Sequence, residues 1–333
     1  MAKAKRGDRL ARAAEVIRLE AQTITGLIDR LDGRFEEAVE RILACRGQVI
    51  VTGMGKAGLV GAKLSATFAS TGTPSLSVHP TEAMHGDLGR IRPDDVVIVL
   101  SNSGETEELR GLLPHVRRIG AAILVITGAT ESAVARLADC VLDIGRLDEA
   151  CPLGLAPTAS TSAMMALGDA LAMVVLAERG FSREDYARYH PAGSLGRKLM
   201  RVREIMRTDR ELPLVRTGTR VVDVILTMSR TQGRPGAALI VDPDGRLQGI
   251  FTDGDLRRLL ERGAEHRRLE HELDQPVDAC MGRSPKTVGP DAFVDDAERL
   301  LREHKIDQIA VVDGDGKAVG LLDVQDLLDT RAG

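Results

Sequence analysis

The chain has 333 residues, 43 % of them apolar and 28 % charged, with a net charge of −4, the profile of a globular protein long enough for two or three units. Tryptophan is absent and aromatics make up 2 %, so the core must be aliphatic. Stacking on single-stranded nucleic acid is excluded, and the charge leaves no footprint for a duplex. Cys45, Cys140, Cys151 and Cys280 lie far apart without a CxxC pair and read as free thiols of a reducing compartment.

In chain order, the basic start MAKAKRGDRLAR has no apolar stretch behind it and reads as a frayed end, not a signal peptide. Asp8 to Cys45 carry helical periodicity through Val16, Leu19, Ile24, Leu27, Ile28, Leu31, Ala38, Ile42 and Leu43. An alternating pattern follows, with strands expected at Val49–Thr52, Ser75–Val78, Val96–Leu100, Ala122–Ile126 and Val141–Ile144. Helices are expected at Gly58–Ala69, Thr106–Arg118, Ser132–Leu137 and roughly Thr158–Arg179. The apolar run Ala163 to Ala177, interrupted by Gly168 and Asp169, is too short to span a bilayer. A cytoplasmic protein without membrane or nucleic-acid partners is therefore expected. Short apolar strands alternating with helices predict a parallel sheet covered on both faces. Its ligands would bind at the carboxyl ends of the strands, where Gly53, His79, Ser101 and Thr127 fall. Phe181 to Arg203, with both tyrosines, reads as an ordered connector. Beyond it the sequence repeats: Ala237–Asp242 and Gly249–Leu256 recur as Ile309–Asp313 and Gly320–Leu327, with Met206 or Met281 heading each copy.

The most informative segment is SNSGETEE, Ser101 to Glu108, a strand end that enters a helix. The hydroxyls of Ser101, Ser103 and Thr106, the freedom of Gly104 and the open N–H groups of a helix start form a cradle for phosphate. Glu105, Glu107 and Glu108 set carboxylates beside it. Gly53-Met54-Gly55-Lys56-Ala57-Gly58 matches G-x-G-x-x-G, but the next strand ends Val78-His79-Pro80 without the acid that takes a ribose hydroxyl. It reads instead as a tight turn that places Lys56 in the site. His79 and His85, with Glu82 and Asp87, fit no common metal spacing and read as a loop contacting sugar hydroxyls. Glu149 follows the fifth strand, Thr158 is a plausible cap for the long helix, and Cys151 is expected to be buried. His190 precedes a proline and is held extended.

Together these segments resemble the arabinose 5-phosphate isomerases, sugar-isomerase (SIS) domain enzymes with a C-terminal CBS pair. The resemblance rests on GMGKAG at 53–58, ATFASTGTPS at 66–75, HPTEAMHGDLG at 79–89, SNSGETEE at 101–108, EACPLGLAPT at 149–158, HPAGSLGRKL at 190–199 and FTDGDLRR at 251–258. It implies an α/β fold, a parallel five-stranded α/β/α sandwich followed by a tandem CBS pair. The SIS part, with N-terminal helices and connector, would cover residues 1–200, and the CBS repeats 204–262 and 275–331. The implied reaction interconverts D-ribulose 5-phosphate and D-arabinose 5-phosphate through an enediolate, the first step toward the Kdo sugar of lipopolysaccharide. A phosphosugar-sensing regulator, or an isomerase of another phosphosugar, is the alternative reading.

On the matched positions the catalytic residues fall on Lys56, Glu108, Glu149 and His190. The substrate contacts fall on Gly72, Thr73, His79 and His85, beside the cradle residues Ser101, Ser103 and Thr106. Moving a proton from C1 to C2 needs a base and electrostatic support for the enediolate oxygen. Glu149 or His190 is expected as the base, with Glu108 orienting its partner and Lys56 on phosphate or enediolate. The resemblance implies no required cofactor. It places an inhibitory zinc ion at His79, a nucleotide or sugar-nucleotide effector at the CBS pair, and assembly as a dimer or tetramer, a homotetramer being the expected form, with His190 able to reach a neighbouring subunit's site. Thr252 and Asp255 keep the nucleotide-binding pattern, whereas Asp323 replaces its usual Ser or Thr.

Overall fold

The computed structural model describes residues 6–190, 193–265 and 269–332, in two compact units that divide between Tyr189 and His190. The first unit opens with α1 (Arg6–Gly26) and α2 (Gly33–Ala44). The periodic stretch breaks at Asp32, whose carboxylate caps α2 by accepting from the Arg34 N–H. There follow β1 (Val49–Gly53), α3 (Gly55–Ser70), β2 (Ser75–Ser77), α4 (Pro80–Met84), β3 (Val96–Leu100), α5 (Glu107–Ile119), β4 (Ala122–Thr127), β5 (Cys140–Asp143), α6 (Ala159–Glu178) and α7 (Arg183–Tyr189). The sheet has the order β2-β1-β3-β4-β5, every pair parallel. The expected five-stranded sandwich is therefore observed.

Alternation along the strands builds two cores. Val49, Val51, Ile98, Leu100, Leu124 and Ile126 pack under α2, α3 and α6. Ile50, Val97, Val99, Ile123 and Val125 pack under α5, through Leu109, Leu112, Leu113 and Val116. By length and composition α6 could cross a membrane, but Ala163, Met164, Leu167 and Leu171 bury it in the first core. Ser132–Leu137 is a correction: only a 3-10 turn, Ala135–Leu137, forms there. One turn is too short to hold a helix by itself, and the backbone N–H of Val134 is drawn off to the Gly104 carbonyl.

The second unit runs α8 (Gly193–Lys198), β6 (Leu214–Arg216), α9 (Val221–Arg230), β7 (Ala237–Val241), β8 (Leu247–Thr252), α10 (Asp253–Glu265), α11 (Leu269–Asp274), β9 (Gly282–Arg283), β10 (Thr287–Val288), α12 (Val294–His304), β11 (Gln308–Val312), β12 (Ala318–Asp323) and α13 (Val324–Ala332). Two small sheets result, β6-β7-β8-β9 and β10-β11-β12. The methionine-headed segments do not serve their own copies but cross over. β9, beside Met281, pairs with β8 of the first copy, and Arg207, beside Met206, pairs with Leu321 of the second. Met206 packs on Gly320 and Met281 on Gly249.

Candidate active site

β1 and β3 are neighbours, yet β1 leads to α3 on one face and β3 to α5 on the other. A parallel sheet opens a crevice at the carboxyl ends of such a strand pair. Gly53 and Leu100, in register there, begin the two loops that flank it. The structure thus brings the Lys56 turn and the SNSGETEE loop to one crevice.

The glycine motif of the first loop has a packing explanation. A Cβ at Gly58 would lie 2.4 Å from the Gly53 carbonyl oxygen, so the glycines let α3 start against the strand end. Lys56 stands exposed in the first turn of α3.

The second loop is shaped from within. Ser101 is 3 % exposed; its Oγ accepts from the Gly104 N–H at 3.1 Å and lies 3.1 Å from Thr106 Oγ1. One of these two hydroxyl protons is used between them, which leaves the other to donate outward. Ser103 Oγ, exposed, accepts from the Glu105 N–H at 3.3 Å. Thr106 caps α5 by position without a side-chain bond, so the first N–H groups of that helix keep their capacity for an anion. Gly104 has φ +62, and a Cβ there would overlap Ser132 Oγ at 1.8 Å.

Of the three acids, Glu107 and Glu108 stand exposed in the first turn of α5. Glu105 instead accepts from the Ala133 N–H at 2.8 Å and ties the cradle to the loop after β4. Thr127, fully buried, donates to the Asn102 carbonyl at 3.2 Å and braces the same loop. Sequence reasoning assigned neither role. A buried threonine at a strand end was the available signal.

His79 and His85 flank the short α4 and are both exposed. Thr73 is buried, and Gly72, at φ +88, is covered by the Phe181 ring. Among the described residues no three His, Cys, Asp or Glu side chains gather as metal ligands, so His79 has no ready set of protein partners for a zinc ion. His190 is half-exposed and belongs to the second unit; Pro191 and Ala192 lie outside the described residues.

Glu149 is the most tightly held acid of the set. Its Oε2 accepts from the Thr158 N–H at 2.7 Å, the Thr158 hydroxyl at 3.0 Å and the Ser160 N–H at 3.3 Å. Its Oε1 accepts from the Ser160 hydroxyl. Partial burial pushes its pKa up, but the Ser160 hydroxyl and the N–H groups of Thr158 and Ser160 outweigh that, and the net direction is down. Glu149 thus caps α6 from outside, while Thr158 Oγ1 accepts from Ala150 N–H at 2.8 Å. Cys151, expected buried, is half-exposed because its loop stands off the sheet, with Leu153 and Leu155 each 79 % exposed. The N–H groups of Ala156, Leu153 and Leu155 hold its thiol below the ordinary range.

The SIS domain family matches residues 42–174 and the CBS domain family residues 202–262 and 277–333. The chain is 45 % identical over 327 residues to the arabinose 5-phosphate isomerase KdsD of Pseudomonas aeruginosa, covering 98 % of this chain and 97 % of that one. It is 44 % identical over 320 residues to KdsD of Escherichia coli K12, covering 96 % and 94 %. Among solved structures, an Escherichia coli CFT073 protein in complex with arabinose 5-phosphate is 38 % identical with a TM-score of 0.55, covering 56 % of this chain and 100 % of that one. A putative phosphosugar isomerase of Bacteroides fragilis involved in capsule formation is 35 % identical with a TM-score of 0.53, covering 55 % and 97 %.

Proposed function

The chain belongs to the arabinose 5-phosphate isomerases, and from that premise we propose how its residues divide the reaction. It interconverts D-ribulose 5-phosphate and D-arabinose 5-phosphate, an aldose–ketose isomerisation; full-length similarity to KdsD carries this reading. The phosphate docks on the Ser101–Thr106 loop, taking the outward hydroxyl proton and the first N–H groups of α5. Lys56, on the other side of the crevice, supplies a cation to the phosphate or to the enediolate oxygen. Glu149 or His190 carries the proton between C1 and C2, and Glu108 orients its partner. His79 and His85, exposed on either side of α4, bind the sugar, while buried Thr73 and Phe181-covered Gly72 shape the loop behind them. The product feeds the Kdo branch of lipopolysaccharide synthesis.

Incubation with D-ribulose 5-phosphate, resolving arabinose from ribose 5-phosphate, tests the reading; absence of arabinose 5-phosphate overturns it. His190→Ala separates the two bases: solvent deuterium entering the substrate at the wild-type rate excludes His190.

The CBS pair receives a nucleotide or sugar-nucleotide effector in one cleft of about 440 Å³, lined by Thr252, Arg257, Arg258, Lys286, Lys305 and Gln308. Four cations there, against the carboxylates of Asp253 and Asp307, favour a phosphorylated ligand. At the matching place in the other repeat, Asp326 is bound by Arg207, with side chains 16 % and 13 % exposed, and Asp323 by Gln308 at 3.0 Å. The enzyme works in the cytoplasm as a homotetramer. Leu10, Ile17 and Ile24, seven residues apart along α1 and exposed, support the assembly as a seam of coiled-coil spacing. Light scattering measures it.

A further inference from the structure

Glu149 raises a question of geometry that its place in the site does not answer. A carboxylate offers about four lone-pair positions. Three donors, the N–H and hydroxyl of Thr158 and the N–H of Ser160, converge on Oε2 and saturate it. Oε1 accepts from the Ser160 hydroxyl alone. Ser160 is 1 % exposed, inside the first turn of a helix whose next turns are buried in the sheet core, so its hydroxyl has little freedom to turn elsewhere. We propose that Ser160 is a positioning residue for the isomerisation: it fixes Glu149 so that the remaining lone pair of Oε1 is the single point at which this carboxylate meets the substrate.

Thr158 completes the clamp, since its hydroxyl accepts from the Ala150 N–H and donates to Glu149 Oε2. The partners of Glu149 are neutral hydroxyl and N–H groups from its own loop and from α6. They orient the carboxylate without a countercharge that would compete with a cationic Lys56. They also favour its ionised form, so the acid enters each turnover deprotonated. The same helix start supplies the positive end of a 20-residue dipole to the held charge.

The inference rests on Glu149 belonging to the site, and the test keeps the two apart. Ser160→Ala, Ser160→Thr, Ser162→Ala and Glu149→Gln are compared in the full chain on D-ribulose 5-phosphate across pH. Ser160→Ala frees the carboxylate to rotate; kcat is expected to fall about 10- to 100-fold with KM changed less than about threefold. The acid limb of the kcat/KM profile should move to higher pH, because the hydroxyl that favours the carboxylate is gone. Ser160→Thr restores a hydroxyl and should recover both. Ser162, whose hydroxyl serves Glu20 at 2.9 Å on the same helix, should be replaceable without effect. Wild-type kcat and acid limb in Ser160→Ala overturn the inference. So does a loss of activity with an unmoved limb that Ser160→Thr does not relieve, which would mark a purely structural serine. Full activity in Glu149→Gln removes Glu149 from the site, and the inference falls with that reading. An inactive Glu149→Gln beside a wild-type-like Ser160→Ala overturns the inference alone.

Discussion

Gly104 concentrates the demands of the Ser101–Thr106 loop in one residue. It must hold φ +62 and leave room for Ser132. Gly104→Ala therefore adds left-handed strain of about 1–2 kcal/mol and a collision that pushes the loop away from β4. Steady-state kinetics should show KM raised about tenfold or more, since a displaced donor loses roughly one charge-assisted hydrogen bond to the phosphate. Gly218→Ala, at φ +82 with open space around it, should lose only stability. The clamped Glu149 also makes stability depend on pH. Its folded pKa is depressed, so its contribution to stability is complete above the ordinary glutamate value of about 4.3 and is lost as the pH falls through the lower folded value. Urea midpoints of wild type and Glu149→Gln should therefore converge as the pH drops below about 4. The loop between Leu100 and Glu107 was legible because Ser, Gly and Thr interrupt an apolar run just before a helical period begins. The clamp on Glu149 was not, because Thr158 reads as an ordinary cap and Ser160 as an ordinary helix residue. Their service to an acid in the preceding loop depends on how residues 150–157 fold back.

Among the elements, the crossing of α3 and α6 links the two helices to which the proposed mechanism assigns its cation and its carboxylate. Gly168 lies where a Cβ would meet Leu64 Cδ1 at 2.3 Å, and Lys63 pairs with Asp169 across the same crossing. α3 carries Lys56 and α6 holds Glu149, so spacing between these helices sets spacing between cation and carboxylate. Gly168→Val should cost about 1–3 kcal/mol by overpacking, seen as a lower thermal midpoint, and should depress kcat further than that stability loss explains at 25 °C. The buried strands were readable to within a residue or two, because runs such as Val96–Leu100 are apolar on both faces. Short helices were not. Five-residue α4 begins at Pro80 with no side-chain cap from His79, and its sequence is indistinguishable from a polar loop. The reverse error at Ser132–Leu137 has the same cause: a single turn is decided by tertiary bonds, not by its own periodicity.

For the whole molecule, the two units have separate cores. The Escherichia coli CFT073 relative solved with arabinose 5-phosphate spans 56 % of this chain with all of its own length, so a fold of the first unit's size stands without CBS repeats. Residues 1–200 expressed alone should fold and keep kcat within about tenfold of the full chain, as a coupled or discontinuous assay would measure. Titration of the full chain with an adenine nucleotide by calorimetry should give one ligand per chain. Arg258→Ala, which removes one cleft cation, should weaken it, whereas Arg207→Ala should open a second place. The repetition of the second half was plain from sequence. The crossing-over of its heading segments was not, since a copy's neighbours in sequence say nothing about which sheet receives them.

That crossing-over makes the CBS pair a clasp with no free half. Each repeat carries, ahead of its own strands, the piece that closes the other: Val202 lies in the core of the second repeat and Val277 in that of the first. Neither copy can therefore loosen without exposing the edge of its twin, and whatever ligand settles between them must be felt by both at once.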